Sequence, residues 1–64
     1  MEVEEKIEIV QNYIYEKTGK QITINLMEGL NPFSLFFEAQ YYKQVEKLCK
    51  AYLIAKIYYE NKSV

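Results

Sequence analysis

Apolar residues recur along residues 2–17 as Val3, Ile7, Val10 and Ile14, at spacings of four, three and four. That period places them in one stripe and predicts an amphipathic helix. Glu2, Glu4 and Glu5 fall in its first turn, where carboxylates meet the positive end of the helix dipole, while Lys17 and Lys20 lie at the other end. Gly19 is placed to take the left-handed conformation that stops a helix. Ile9 and Tyr13, four apart on one flank, widen the apolar face beyond what one neighbouring helix covers.

The period then shortens to two. In residues 20–26 the side chains of Ile22, Ile24 and Leu26 alternate with polar ones, which predicts a short extended segment. No second strand-like run follows. A lone strand leaves its backbone groups unpaired on both edges, so this segment is expected either to stay an exposed connector or to pair with a strand of another molecule.

Asn31 and Pro32 form a helix-entry signal, with Asn a good N-cap and Pro suited to the first helical position. Leu30 and Leu35 are spaced for a hydrophobic staple across that entry. No Gly or Pro follows, so a second helix is predicted over residues 32–60. Such a helix is about 43 Å long against about 24 Å for the first. One face carries Tyr41, Val45, Leu48, Tyr52, Ala55 and Tyr59, with Cys49 and Tyr42 beside it, and the opposite face carries Lys43, Lys47 and Lys50. The division fails over residues 51–59, where Ile54 and Ile57 fall on the lysine side and Ala51 and Tyr58 lie near them. A helix that is apolar nearly all round is normally buried on more than one side. Helix 1 is too short to cover this stretch if the helices pack side by side, and the extended segment can shield only one side. The expected fold is therefore mainly α, two unequal helices joined by an extended segment in α-β-α order. It is expected to form a homodimer through the second half of helix 2. Ala51, Ile54, Ile57 and Tyr58 are its predicted interface residues, with Phe36 exposed on the lysine face.

Composition narrows the chemistry. The 64 residues are 50% hydrophobic and 27% charged, the balance of a single globular domain. There is no His, Asp, Arg or Trp, and eight Lys stand against nine Glu for a net charge of −1. Without His or Asp, and with a single Cys, the chain lacks the usual means for acid–base, nucleophilic or metal chemistry. No enzyme activity, cofactor or metal is expected. The two glycines have capping and turn roles rather than a phosphate-loop pattern. Cys49, beside the apolar stripe and away from the lysine face, reads as a buried inert thiol.

Size imposes a further constraint. A domain of about 60 residues buries only roughly 60% of the surface its unfolded chain exposes. One Cys forbids an intrachain disulfide and no zinc ligand set exists, which leaves self-association or an aromatic-rich core to make up the deficit. Seven Tyr and three Phe are available for the latter. Phe33, Phe36 and Phe37 at the start of helix 2, and Tyr58 and Tyr59 near its end, have the character of interface anchors. Most of them are expected to serve simply as core, with Phe36 the exception.

The acidic start, Met1-Glu2-Val3-Glu4-Glu5, lacks the positive region of a signal peptide. The longest apolar run, residues 51–55, is far short of the ~20 residues that span a bilayer. An unpaired Cys49 suits a reducing compartment, and a cytoplasmic protein is expected. Richness in Lys, Ile, Tyr and Glu without Arg is what an AT-rich genome tends to encode, and a short accessory protein of a phage or mobile element fits it. Function is expected to be non-enzymatic, a small regulator or inhibitor that docks on a larger protein. The alternative is a dimeric nucleic-acid-binding regulator presenting Lys43, Lys47 and Lys50 to phosphates. Residues 1–16 carry −4 and residues 17–64 carry +3, a segregation that an acidic helix beside a basic one explains without nucleic acid. The absence of Arg, the commonest reader of guanine, also weighs against nucleic acid.

Overall fold

In a computed structural model the chain is two helices, α1 (Val3–Thr18) and α2 (Phe37–Lys62), and residues 2–62 are described below. Helix α1 forms as its stripe predicts. Glu4 and Glu5 occupy the first turn, and the backbone N–H of Gly19, at φ 73°, donates to the Tyr15 carbonyl at 2.8 Å. Thr18 reinforces the exit. Its hydroxyl donates to the Ile14 carbonyl at 2.8 Å and accepts from the Lys20 N–H at 3.2 Å.

The helices lie side by side and point the same way. Lys6 reaches Cys49 and Tyr52, Tyr13 meets Tyr58, and Glu16 meets Lys62, so position along α1 rises with position along α2. Parallel neighbours need a connection that returns the full length of α1. About 24 Å must be recrossed between the end of α1 and the start of α2. Residues 20–26 make the first part of that return against α1, reaching the level of Gln11 and Val10 midway along it, and the turns before α2 follow. The Ile24 N–H donates to Gln11 Oε1 at 2.8 Å, Ile24 packs on the core, and Leu26 is buried in it.

The α-β-α order expected of the sequence is not found. Of the alternating Ile22, Ile24 and Leu26, the last two pack on the core and Ile22 is exposed, and no strand is present among the described residues. The Gln11 side chain supplies a partner that a neighbouring strand would otherwise provide.

Helix α2 starts at Phe37 rather than at Pro32. Asn31 does cap a turn, accepting the Phe33 N–H on Oδ1 at 3.0 Å while its carbonyl accepts the Ser34 N–H at 3.0 Å. Ser34 then interrupts. Its Oγ accepts the Phe36 N–H at 3.1 Å and its carbonyl accepts the Phe37 N–H at 3.2 Å, which makes a second separate turn. The first bond into α2 runs from the Gln40 N–H to the Phe36 carbonyl at 2.9 Å. The predicted staple is absent, since Leu35 is 96% exposed.

The parallel arrangement also moves the overhang. Helix α1 runs alongside the second half of α2, so residues 51–59 are covered on one side after all. The first two turns of α2 are the part that projects beyond the start of α1. The core is thin. Val10, Leu26 and Leu48 are buried together, with Val3, Ile7, Ile14, Tyr41, Val45, Ala51 and Tyr52 packed around them. Ala55 is wholly buried. The molecule measures 46 × 22 × 14 Å, and its Cα radius of gyration of 13.4 Å exceeds the about 11 Å of a compact chain this long.

Candidate interaction surface

The outer face of α2, turned away from α1, changes character along its length. Lys43, Lys47 and Lys50 are exposed in its first half, and Lys50 forms an ion pair with Glu46 one turn back at 3.2 Å. In the second half the same face is apolar: Leu53 is 56% exposed and Ile54 and Ile57 are each 57% exposed. Ala51 and Tyr58 lie elsewhere. Ala51 packs on the core, and the Tyr58 ring stands edge-on to Tyr13 at 5.2 Å with the Lys17 ammonium 4.4 Å from its centre. Of the four α2 residues singled out from the sequence, Ile54 and Ile57 share an exposed apolar ridge, and Leu53 joins them there. The all-round apolar character of residues 51–59 was the signal for Leu53.

A second exposed apolar feature caps the other end of the molecule. Phe33 is 93% exposed, Leu35 96% and Phe36 69%, all within the two turns that precede α2. Phe36 is exposed as the sequence suggested. Phe33 and Leu35 are not core or staple residues, because the Ser34 turn carries them away from both helices. The hydroxyl of Ser34 was the local signal for this knuckle.

Between the helices, on the side not covered by the extended segment, runs an open groove of about 470 Å³ lined by Ile9, Asn12, Tyr52, Lys56, Tyr59 and Glu60. Ile9 was already marked as lying beyond the reach of one neighbouring helix. Cys49 is half-buried, and the Lys6 ammonium lies 3.6 Å from its sulfur. That lysine comes from α1, so a helical wheel of α2 alone could not reveal it. Among the described residues no three His, Cys, Asp or Glu side chains gather where a metal could sit, and no helix is long and apolar enough to cross a membrane.

The two helix ends are clasped by charge. The Lys62 ammonium donates to a Glu16 carboxylate oxygen, and the Tyr59 hydroxyl donates to the same carboxylate. The Lys62 bond, then the Tyr59 bond, hold the Glu16 carboxyl below its ordinary 4.5. Burial, then the hydrogen bond to Glu16, push Tyr59 above its ordinary 10.0, and the Glu16 bond pushes Lys62 above 10.5. What Glu16 contributes to stability is therefore complete above pH 4.5 and lost as the pH falls below it. What Lys62 and Tyr59 contribute is complete below pH 10.0 and lost as the pH rises beyond their raised values. Glu16→Gln should accordingly melt with less dependence on pH than wild type as the pH falls below 4.5 and through the lowered value of the native Glu16. Identical pH slopes in thermal melts of the two proteins would show that the clasp does not matter to folding.

Comparison with known protein families, with curated proteins and with solved structures finds no match, so the chemistry of this surface rests on the residues themselves.

Proposed function

We propose that this protein is a non-enzymatic protein–protein interaction module, a small regulator or inhibitor that docks on a larger protein and associates with itself. The observation that carries the reading is the apolar exposure at Leu53, Ile54 and Ile57 and at Phe33, Leu35 and Phe36, on a molecule with so little buried interior. Contiguous exposed apolar side chains on a small protein mark interaction sites. Tyr and Phe beside them are the residue types enriched at such interfaces.

The test is affinity capture from the native host's lysate with the tagged full-length chain. A protein retained by wild type in high salt, and lost with Phe33→Ser plus Leu35→Ser, supports the reading. High salt weakens phosphate contacts steeply and leaves apolar ones in place. No salt-resistant protein partner, together with a nucleic-acid gel shift that disappears in Lys43→Gln, Lys47→Gln, Lys50→Gln, would replace this reading with a nucleic-acid one.

A further inference from the structure

We propose that a second copy of this chain covers the outer face of the second half of α2, the two α2 helices lying antiparallel about a twofold axis between Ile54 and Ile57. The proposal rests on the interaction-module reading and names the partner and the geometry.

The first argument is area. The chain exposes 5255 Å², against about 4300 Å² expected for a compact monomer of 7.7 kDa. The excess of roughly 900 Å² is close to the ~800 Å² that each partner gives up in a standard interface. A part of this surface is already apolar and opposite α1, at Leu53, Ile54 and Ile57.

The second argument is charge, and it selects the direction. The apolar ridge continues toward the start of α2 as Lys43, Lys47 and Lys50. A parallel pair sets each lysine beside the same lysine of the other copy, three like-charge contacts along one seam. An antiparallel pair removes all three. It sets Ile54 against Ile57 of the second copy and apolar side chain against apolar side chain at the centre. Lys50 then falls opposite residue 61 of the other α2, at the helix end whose unpaired carbonyls carry the negative pole of the dipole. Lys43 and Lys47 lie beyond the end of the other α2, so the direction that joins the isoleucines also separates the lysines and gives Lys50 a favourable site.

Distances between spin labels test both parts. Nitroxides are placed at Lys43→Cys, and separately at Glu46→Cys, each in a full-length Cys49→Ala background; both sites are exposed. With the axis midway between residues 54 and 57, Lys43 lies about 12 residues from it in each copy. At about 1.5 Å per residue the two labels stand about 40 Å apart, and labels at Glu46 stand about 30 Å apart. In a parallel pair both sites give the same short separation, below about 20 Å. Distances near 40 and 30 Å, in protein that sediments as a dimer at about 100 μM, support the proposal. Equal short distances overturn the antiparallel geometry, and sedimentation as a monomer at that concentration overturns self-docking. The monomer result leaves the capture of a larger protein through Phe33 and Leu35 to stand or fall on its own experiment.

Discussion

Ile54→Glu with Ile57→Glu should convert the proposed dimer into a folded monomer, raising its dissociation constant by about a thousandfold. Full burial of one isoleucine is worth about 1.5–3 kcal/mol. Both residues already hide nearly half their surface and are 57% exposed, so docking gains about 1 kcal/mol from each. Four such residues meet in a dimer, giving about 4 kcal/mol, or roughly three powers of ten in affinity. Four carboxylates brought into one seam add repulsion. The fold itself should survive, because neither side chain faces α1. Sedimentation equilibrium near 100 μM reads the association state, and far-ultraviolet circular dichroism reads the helix content. A double variant that sediments like wild type would remove Ile54 and Ile57 from any self-interface. One that loses its helices would show that these side chains support the monomer.

Leu48→Ala should have the largest effect on stability. Leu48 is 4% exposed and lies in the cluster with Val10 and Leu26, where the two helices and the returning segment meet. Truncating a buried leucine to alanine costs about 2–5 kcal/mol, since the surroundings collapse only partly into the space left. A chain of this length has in total about 3–10 kcal/mol. The melting temperature should fall by at least about 10 °C, measured at one fixed protein concentration so that association does not shift the comparison. Leu35→Ala, at a residue 96% exposed, should change the stability of the monomer by less than about 0.5 kcal/mol. Equal losses in the two variants would mean that Leu35 is packed in solution, as the hydrophobic staple read from the sequence requires.

The contrast between Leu48 and Leu35 shows how the two levels of information divide. Both are leucines within or just before one helix, and each had a local argument for burial. Leu48 stands in a stripe of spacing three and four that runs from Tyr41 to Tyr59, and a long stripe leaves a helix few ways to turn. Leu35 depended on the helix entry at Asn31 and Pro32, a single local signal. The hydroxyl of Ser34, competing for the same backbone N–H groups, was enough to break the entry into two turns and leave Leu35 in solvent.

By itself the sequence determined α1 from end to end, the body of α2, and the placing of Ile54 and Ile57 on the lysine side. These depend on interactions no more than about four residues long: the helical repeat, first-turn carboxylates, and a glycine stop. The tertiary structure decided that the helices run parallel, and hence that the second half of α2 lies beside α1 while its first turns project. It also decided that residues 20–26 act as a return strap, that Glu16 meets Lys62, and that Lys6 meets Cys49. A stripe on each helix specifies which sides meet but is nearly indifferent to direction, because the same side chains can interlock with either polarity. Direction follows from the path of the connection and from which residues of the two stripes mate, and those pairings span more than forty residues of chain.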